Sequence, residues 1–394
     1  MSRNIQIAYI LTILKNTWFW LGIWIFYYLR FTDYAGIGLI ETSLVIAMVI
    51  SEIPTGAVAD LLGKKKTLFV SFLLQAFGGY MMAFAPHVSW LIVAVFIMGI
   101  GGAFYSGTLE ALVYDSLKQK GQEGTYNKVI SHITSLGLAV PAICSILGGF
   151  LYLMQPNLPF LVNAIAYSLA LIFCLFLIEP KIDTEKFSMK SLISQTQYGF
   201  HQLFRENHIR KQMIVLLSIG LVVVICDEML NSFLGVEFGF KPESIGILWA
   251  VIYLVSAFAS QLTPYIKRYL SYDHSIILIG VLIAISLIIS PWLGIVLGGI
   301  SLLVRSSLQT IYGNVSSVII NDHTESQYRA TTLSTFNLIK NIPYVLTAYL
   351  LGSMADKYSA VVLASILGVV LLLLLIYPLL NIFRNNKIKI TPSA

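Results

Sequence analysis

The chain has 394 residues, 57% of them apolar and only 11% charged, where an ordinary soluble domain carries roughly 25% charge. With a mean hydropathy of +0.81, it holds too little polar surface to coat a water-soluble fold of this size, so lipid is the solvent of most of its outside. The 28 glycines and 12 prolines spread through apolar runs exclude collagen-like, disordered and disulfide-stapled classes.

A bilayer core takes about 20 apolar residues per helix, which gives a chain of this length room for about twelve crossings. The apolar runs predict helices near residues 5–29, 36–58, 67–85, 89–117, 127–152, 158–178, 211–235, 244–266, 273–290, 292–320, 327–353 and 359–383. A barrel is excluded because its strands would alternate with period two over about ten residues. The expected fold is therefore an all-α membrane protein with twelve transmembrane helices in two pseudo-symmetric six-helix bundles. The domains expected are a first bundle over 1–178, a cytoplasmic linker over 179–210 and a second bundle over 211–394.

Basic residues set the orientation. With the N-terminus inside, nineteen of the 25 Lys and Arg residues fall on cytoplasmic segments, which places both termini in the cytoplasm. That distribution faces anionic lipid and needs no nucleic-acid partner. The first span is too long for a removable signal peptide and reads as a retained anchor in the plasma membrane. Cys144, Cys174 and Cys226 lack the spacing of a metal or redox motif and read as small buried apolar residues. The linker's run from Leu192 to Phe204 is weakly amphipathic and fits either a segment lying along the membrane or a plain tether.

The halves echo one another. Ile37-Gly38 recurs as Ile245-Gly246, and Tyr126 precedes Pro141 by the same 15 residues that separate Tyr328 from Pro343. Such repeats are a recurring sign of transporter construction.

Between the second and third spans stands Gly56-Ala57-Val58-Ala59-Asp60-Leu61-Leu62-Gly63-Lys64-Lys65-Lys66. A short turn here needs Gly63 for backbone freedom, Gly56 allows close helix approach, and Asp60 near a helix C-terminus seeks a cation. The stretch resembles the signature loop of the major facilitator superfamily, Gly-x-Leu-x-Asp-Arg-x-Gly-Arg-Lys/Arg. Gly56, Asp60, Gly63 and Lys65 match, Lys64 is a basic replacement, and Leu61 departs from the usual Arg. The resemblance implies a gating loop of Gly56, Asp60, Gly63, Lys64 and Lys65 that pairs with Asp115 to latch the outward-open state. The alternative is that the lysines only mark topology. The family's fourth-helix and fifth-helix antiporter patterns are met only in part, by Met98-Gly99 and by Pro141 with Gly148-Gly149.

Charges inside the bilayer cost roughly 2.5–3.5 kcal/mol each on insertion scales, so they normally face a partner or a watered cavity. Lys15 lies in the first span, Glu110 in the fourth, Asp227 and Glu228 in the seventh and Arg305 in the tenth. In the superfamily this chain resembles, those four helices line a central cavity. Helical spacing groups Lys15 with Trp18 and Phe19, Asp227 with Asn231, and Arg305 with Gln309 and Tyr312. Substrate contacts are thus expected from Lys15, Trp18, Phe19, Glu110, Asp227, Asn231, Arg305 and Gln309. Proton coupling is expected from Glu110, Asp227 and Glu228, of which the adjacent pair should have one member facing the cavity. The alternative is that Lys15 or Arg305 makes a structural salt bridge with Glu110 or Asp227. Glu52, His132 and Lys340 are weaker candidates, and Glu41 is expected near the outer interface.

No GxxxxGK[ST], HExxH, paired CxxC or GxSxG occurs, so neither ATP as energy source nor an enzymatic or cofactor-dependent function is indicated. The expectation is a monomeric secondary transporter that exports a small organic or amphipathic compound, proton-coupled, by alternating access. Import of a polar nutrient or organic anion is the alternative, and a transport-dead receptor a remote one.

Overall fold

In the computed structural model the backbone is described over residues 3–180, 197–198, 200–204, 207–263, 265, 271–324 and 329–388. Side chains are described over these except at 52–62, 207–208, 273, 330–331, 377 and 379–388. Among the described residues there is no strand. The helices are α1 (Arg3–Lys15), α2 (Trp24–Tyr28), α3 (Tyr34–Leu62), α4 (Lys64–Ala83), α5 (Val88–Tyr105), α6 (Thr108–Lys118), α7 (Tyr126–Met154) and α8 (Leu158–Leu175). Then follow α9 (Asn207–Ile225), α10 (Asn231–Glu237), α11 (Pro242–Gln261), α12 (Tyr272–Ile288), α13 (Ile295–Asp322), α14 (Arg329–Tyr358) and α15 (Ala360–Ile388).

Seven helical stretches among the described residues are long and apolar enough to cross a membrane. They coincide with the second, fourth to eighth and tenth predicted spans. The third, ninth, eleventh and twelfth predicted spans are helical, with shorter apolar helical stretches at His274–Ile288 and Ala360–Ile376 in the ninth and twelfth. Large apolar side chains such as Met154, Phe258 and Leu346 stand exposed, as expected where lipid and not water is the neighbour.

Three predicted spans are interrupted, and each interruption bears on a candidate site. The first is not one helix: the α-helix stops at Lys15, turns occupy 16–23, and helix resumes at Trp24. The fourth breaks at Ser106-Gly107, where Gly107 is left-handed with φ 71°. The seventh passes through a π-helical turn, Cys226–Leu230, between α9 and α10. None of these follows from hydropathy, because turns and π-bulges exchange hydrogen bonds without changing the apolar count.

The chain divides into two compact units. The first holds Met1–Leu192 with Lys241–Leu254, and the second Ile193–Phe240 with Val255–Ala394. The first unit's core joins Leu11 of α1, Leu68 and Phe72 of α4, Leu112 of α6 and Tyr167 of α8. Also within this unit, the Ser145 hydroxyl of α7 donates to the Gly246 carbonyl at 2.9 Å. The second unit packs the buried Ile219 of α9, Ile283 and Leu287 of α12 and Leu371 and Leu375 of α15. Of the expected surface run Leu192–Phe204, residues 197–198 and 200–204 are described and are helical. Tyr328, half of one repeat pair, lies outside the described residues.

Candidate functional site

In the first unit, the break after Lys15 builds the site. Asn163 of α8, 1% exposed, accepts from the Trp20 indole N–H at 2.8 Å and donates to the Thr17 carbonyl at 2.9 Å. The Tyr167 hydroxyl donates to the Lys15 carbonyl at 3.4 Å. These side chains take the hydrogen bonds that a continuous helix would have made internally. Gly148 of α7 lets the broken strand of chain approach, since a Cβ there would stand 1.7 Å from the Phe19 carbonyl oxygen.

The result is an ammonium among rings. The Lys15 Nζ lies 5.4 Å from the Trp18 ring centre, 5.5 Å from that of Tyr105 and 5.8 Å from that of Tyr167, within reach of the ring quadrupole. Among the described residues it forms no ion pair. The helical face expected from Lys15 through Phe19 does not exist, because residues 16–23 are not helical. Trp18 reaches Lys15 through the turn instead, and Phe19 contributes the carbonyl seated against Gly148. Glu110, in the first turn of α6, has one carboxylate oxygen, Oε2, buried without a hydrogen-bond partner, and its charge acts on Tyr105 and Tyr126. Lys15 and Glu110 thus share Tyr105 as a neighbour without forming an ion pair.

In the second unit, the π turn decides the geometry. Asp227 is exposed, Glu228 half-buried, and Cys226, Met229, Leu230 and Asn231 buried. Asp227 and Asn231, four residues apart across the π-helical turn, thus differ in burial. The charge of Lys340, on α14, acts on both Asp227 and Glu228. This ties Lys340, a weaker candidate from the sequence, to both carboxylates. On α13, Arg305, Gln309 and Tyr312 are all buried, at 0%, 6% and 1% exposure. The Asn231 amide donates to Gln309 Oε1 at 3.2 Å, and Tyr312 donates to the Leu216 carbonyl at 2.7 Å. Arg305 forms no ion pair with Asp227 among the described residues.

The loop between α3 and α4 has its own constellation. Gly63 has φ 86° and ψ 156°, a region open essentially to glycine alone. The Lys64 and Lys65 backbone N–H groups each donate at 2.7 Å to one oxygen of the Glu179 carboxylate, which satisfies the open donors of the α4 N-terminus and its dipole. A Cβ on Gly63 would lie 2.8 Å from Glu179 Cδ. The Lys64 ammonium forms an ion pair with Asp115 of α6, and the Lys65 ammonium donates to the Leu175 carbonyl at 2.8 Å. Gly56 and Asp60 lie in the helical backbone of α3, and their side-chain environment, like that of Glu52, lies outside the described residues.

Sequence reasoning missed Asn163 and Glu179. An amide in the middle of an apolar span was the available signal for Asn163, and a carboxylate just past a helix end that for Glu179. Glu41, expected at an interface, is 7% exposed and its charge acts on Tyr28. His132, a weaker candidate, lies 3.4 Å from the Tyr9 hydroxyl through Nδ1.

Broken apolar helices that hold charged groups at membrane depth define a multi-pass membrane protein of the transporter class. The chain belongs to the Major Facilitator Superfamily, whose pattern matches residues 5–348. It is 24% identical over 239 residues to the uncharacterized MFS-type transporter YxaM of Bacillus subtilis (strain 168), covering 58% of this chain and 57% of that one. It is 25% identical over 214 residues to the multidrug resistance protein MdtL of Shewanella sp. (strain ANA-3), covering 54% and 52%. The chain thus matches little more than half the length of these relatives. Among solved structures, the nucleoside transporter NupG superposes with a TM-score of 0.79 at 17% identity, over 96% of this chain and 97% of that one. A POT family transporter in complex with 5-aminolevulinic acid gives 0.74 at 12% identity, over 98% and 97%. At these identities the structural likeness establishes the fold.

Proposed function

We propose that this protein is a secondary transporter of the plasma membrane that exports a small organic or amphipathic compound by alternating access, driven by a proton gradient. The observation that carries the export reading is the similarity to MdtL, named for multidrug resistance. Each unit supplies its own contacts for the compound. In the first, Lys15, Trp18, Phe19 and Glu110 combine aromatic rings with both signs of charge, which suits an amphipathic molecule. In the second, Asp227, Asn231, Arg305 and Gln309 serve. Glu110, Asp227 and Glu228 are the proton-coupling carboxylates. The loop residues Gly56, Asp60, Gly63, Lys64 and Lys65 with Asp115 form the gate, on the cytoplasmic side with both termini, and the protein works as a monomer.

A second reading, import of a polar nutrient or organic anion, is favoured by the absence of an anionic partner for Lys15 among the described residues. Proteoliposomes with an imposed proton gradient separate the two. Export predicts accumulation of the compound on the acidic side and import the opposite sidedness. In the same assay Glu110→Gln and Asp227→Asn should abolish gradient-driven flux. Undiminished gradient-driven flux in both variants would refute the coupling assignment.

A further inference from the structure

Arg305 differs from the other membrane-embedded charges in being wholly enclosed. It stands about three turns into α13, is 0% exposed, and none of its Nε, Nη1 and Nη2 atoms has a hydrogen-bond partner among the described residues. Among the described residues of the second unit no carboxylate answers it. The titratable side chain beside Arg305 is the neutral Cys226 thiol, whereas Asp227 and Glu228 have Lys340 as their cation. The polar neighbours on its own face are amides. Gln309 follows one turn later with its Nε2 buried and unpartnered, and Asn231, which donates to Gln309 Oε1 at 3.2 Å, keeps an unpartnered Oδ1. Turning both amides over exchanges those atoms and still leaves one NH2 group unbound.

A guanidinium is a planar fork of five N–H donors with no acceptor, and burying it unpaired is strongly unfavourable. The missing partner must bring acceptors and negative charge. We propose that Arg305, with the free amide donor of the Asn231–Gln309 pair, binds one small monovalent anion inside the second unit, either a halide ion or a carboxylate group. The charge count selects this class: one fixed cation among neutral amides balances one negative charge, and a dianion would leave an uncompensated charge in a low-dielectric interior. Complete enclosure favours an anion of a few atoms. The carboxylate form rests on the transport reading and makes the anion part of the transported compound, whereas a halide here takes Arg305, Asn231 and Gln309 out of that compound's contacts.

The test uses the full-length protein in detergent, so it does not require transport to be observed. Thermal unfolding is followed in sodium isethionate while chloride, or separately acetate, replaces isethionate at constant ionic strength. Binding to the folded state predicts a saturable rise in melting temperature, equivalent at 100-fold excess over Kd to a roughly 100-fold gain in the folded-to-unfolded ratio. Arg305→Met should remove the response. Should that variant not fold, Gln309→Leu keeps the cation and should shift the titration to about tenfold higher anion, as loss of one hydrogen bond implies. A response to chloride alone identifies the inorganic ion, and a response to acetate alone identifies a carboxylate. No saturable response to either anion, or an equal response in Arg305→Met, overturns the proposal.

Discussion

Replacing Asn163 by leucine tests whether the broken first span is held by α8 or is indifferent to it. The two side chains are close in volume, so packing is largely kept, but both bonds to the break are lost: Trp20 Nε1 to Oδ1 at 2.8 Å and Nδ2 to the Thr17 carbonyl at 2.9 Å. Side-chain hydrogen bonds in membrane proteins average about 0.6 kcal/mol and reach about 1.7. A buried donor left unpaired adds about 1–3 kcal/mol. Asn163→Leu should therefore cost about 2 kcal/mol, which in a body of 150–250 residues lowers the melting temperature by about 4–8 °C. Because the same bonds orient Trp18 against Lys15, the variant should also raise the KM for transport. Trp20→Phe removes one partner of the pair, so the double variant should lose less than the sum of the single ones, with a coupling of about 0.5–1.5 kcal/mol. Thermal unfolding in detergent and initial uptake rates in proteoliposomes measure both effects. An Asn163→Leu protein that melts like the parent with unchanged KM, or strict additivity with Trp20→Phe, would refute the argument.

Gly63→Ala should destabilise the protein by about 1–3 kcal/mol, because φ 86° with ψ 156° is closed to alanine and its Cβ would displace the Glu179 carboxylate; the loss should appear as a lower melting temperature. Asp115→Asn leaves the Lys64 ammonium without its ion partner and should cost about 1–3 kcal/mol. The double variant Lys64→Gln with Asp115→Asn should regain part of that stability in the same melting experiment. It should slow transport if the pair belongs to the gate, since neutral amides hold the closed arrangement less tightly than an ion pair.

Composition and hydropathy sufficed for the class, because an apolar excess this large can be solvated only by lipid, and runs of about 20 apolar residues span it only as helices. The signature around Gly56–Lys66 added the family, since a turn that needs a glycine between charged residues constrains the chain locally. Those features depend on the residues themselves. Where the helices break does not. The turn after Lys15 exists because Asn163 and Gly148, more than a hundred positions away, accept it, and no periodicity in residues 5–29 reports that. Likewise, no hydropathy pattern reports the π-helical turn at Cys226–Leu230, or that Asp227 stands exposed while Asn231 is buried. Arg305 could be read as a charge at membrane depth from the sequence, but its complete enclosure, without a carboxylate among the described residues, depends on what packs around it. Tertiary structure decides such matters because the free energy of a buried charge is set by its surroundings, and these are assembled from distant parts of the chain.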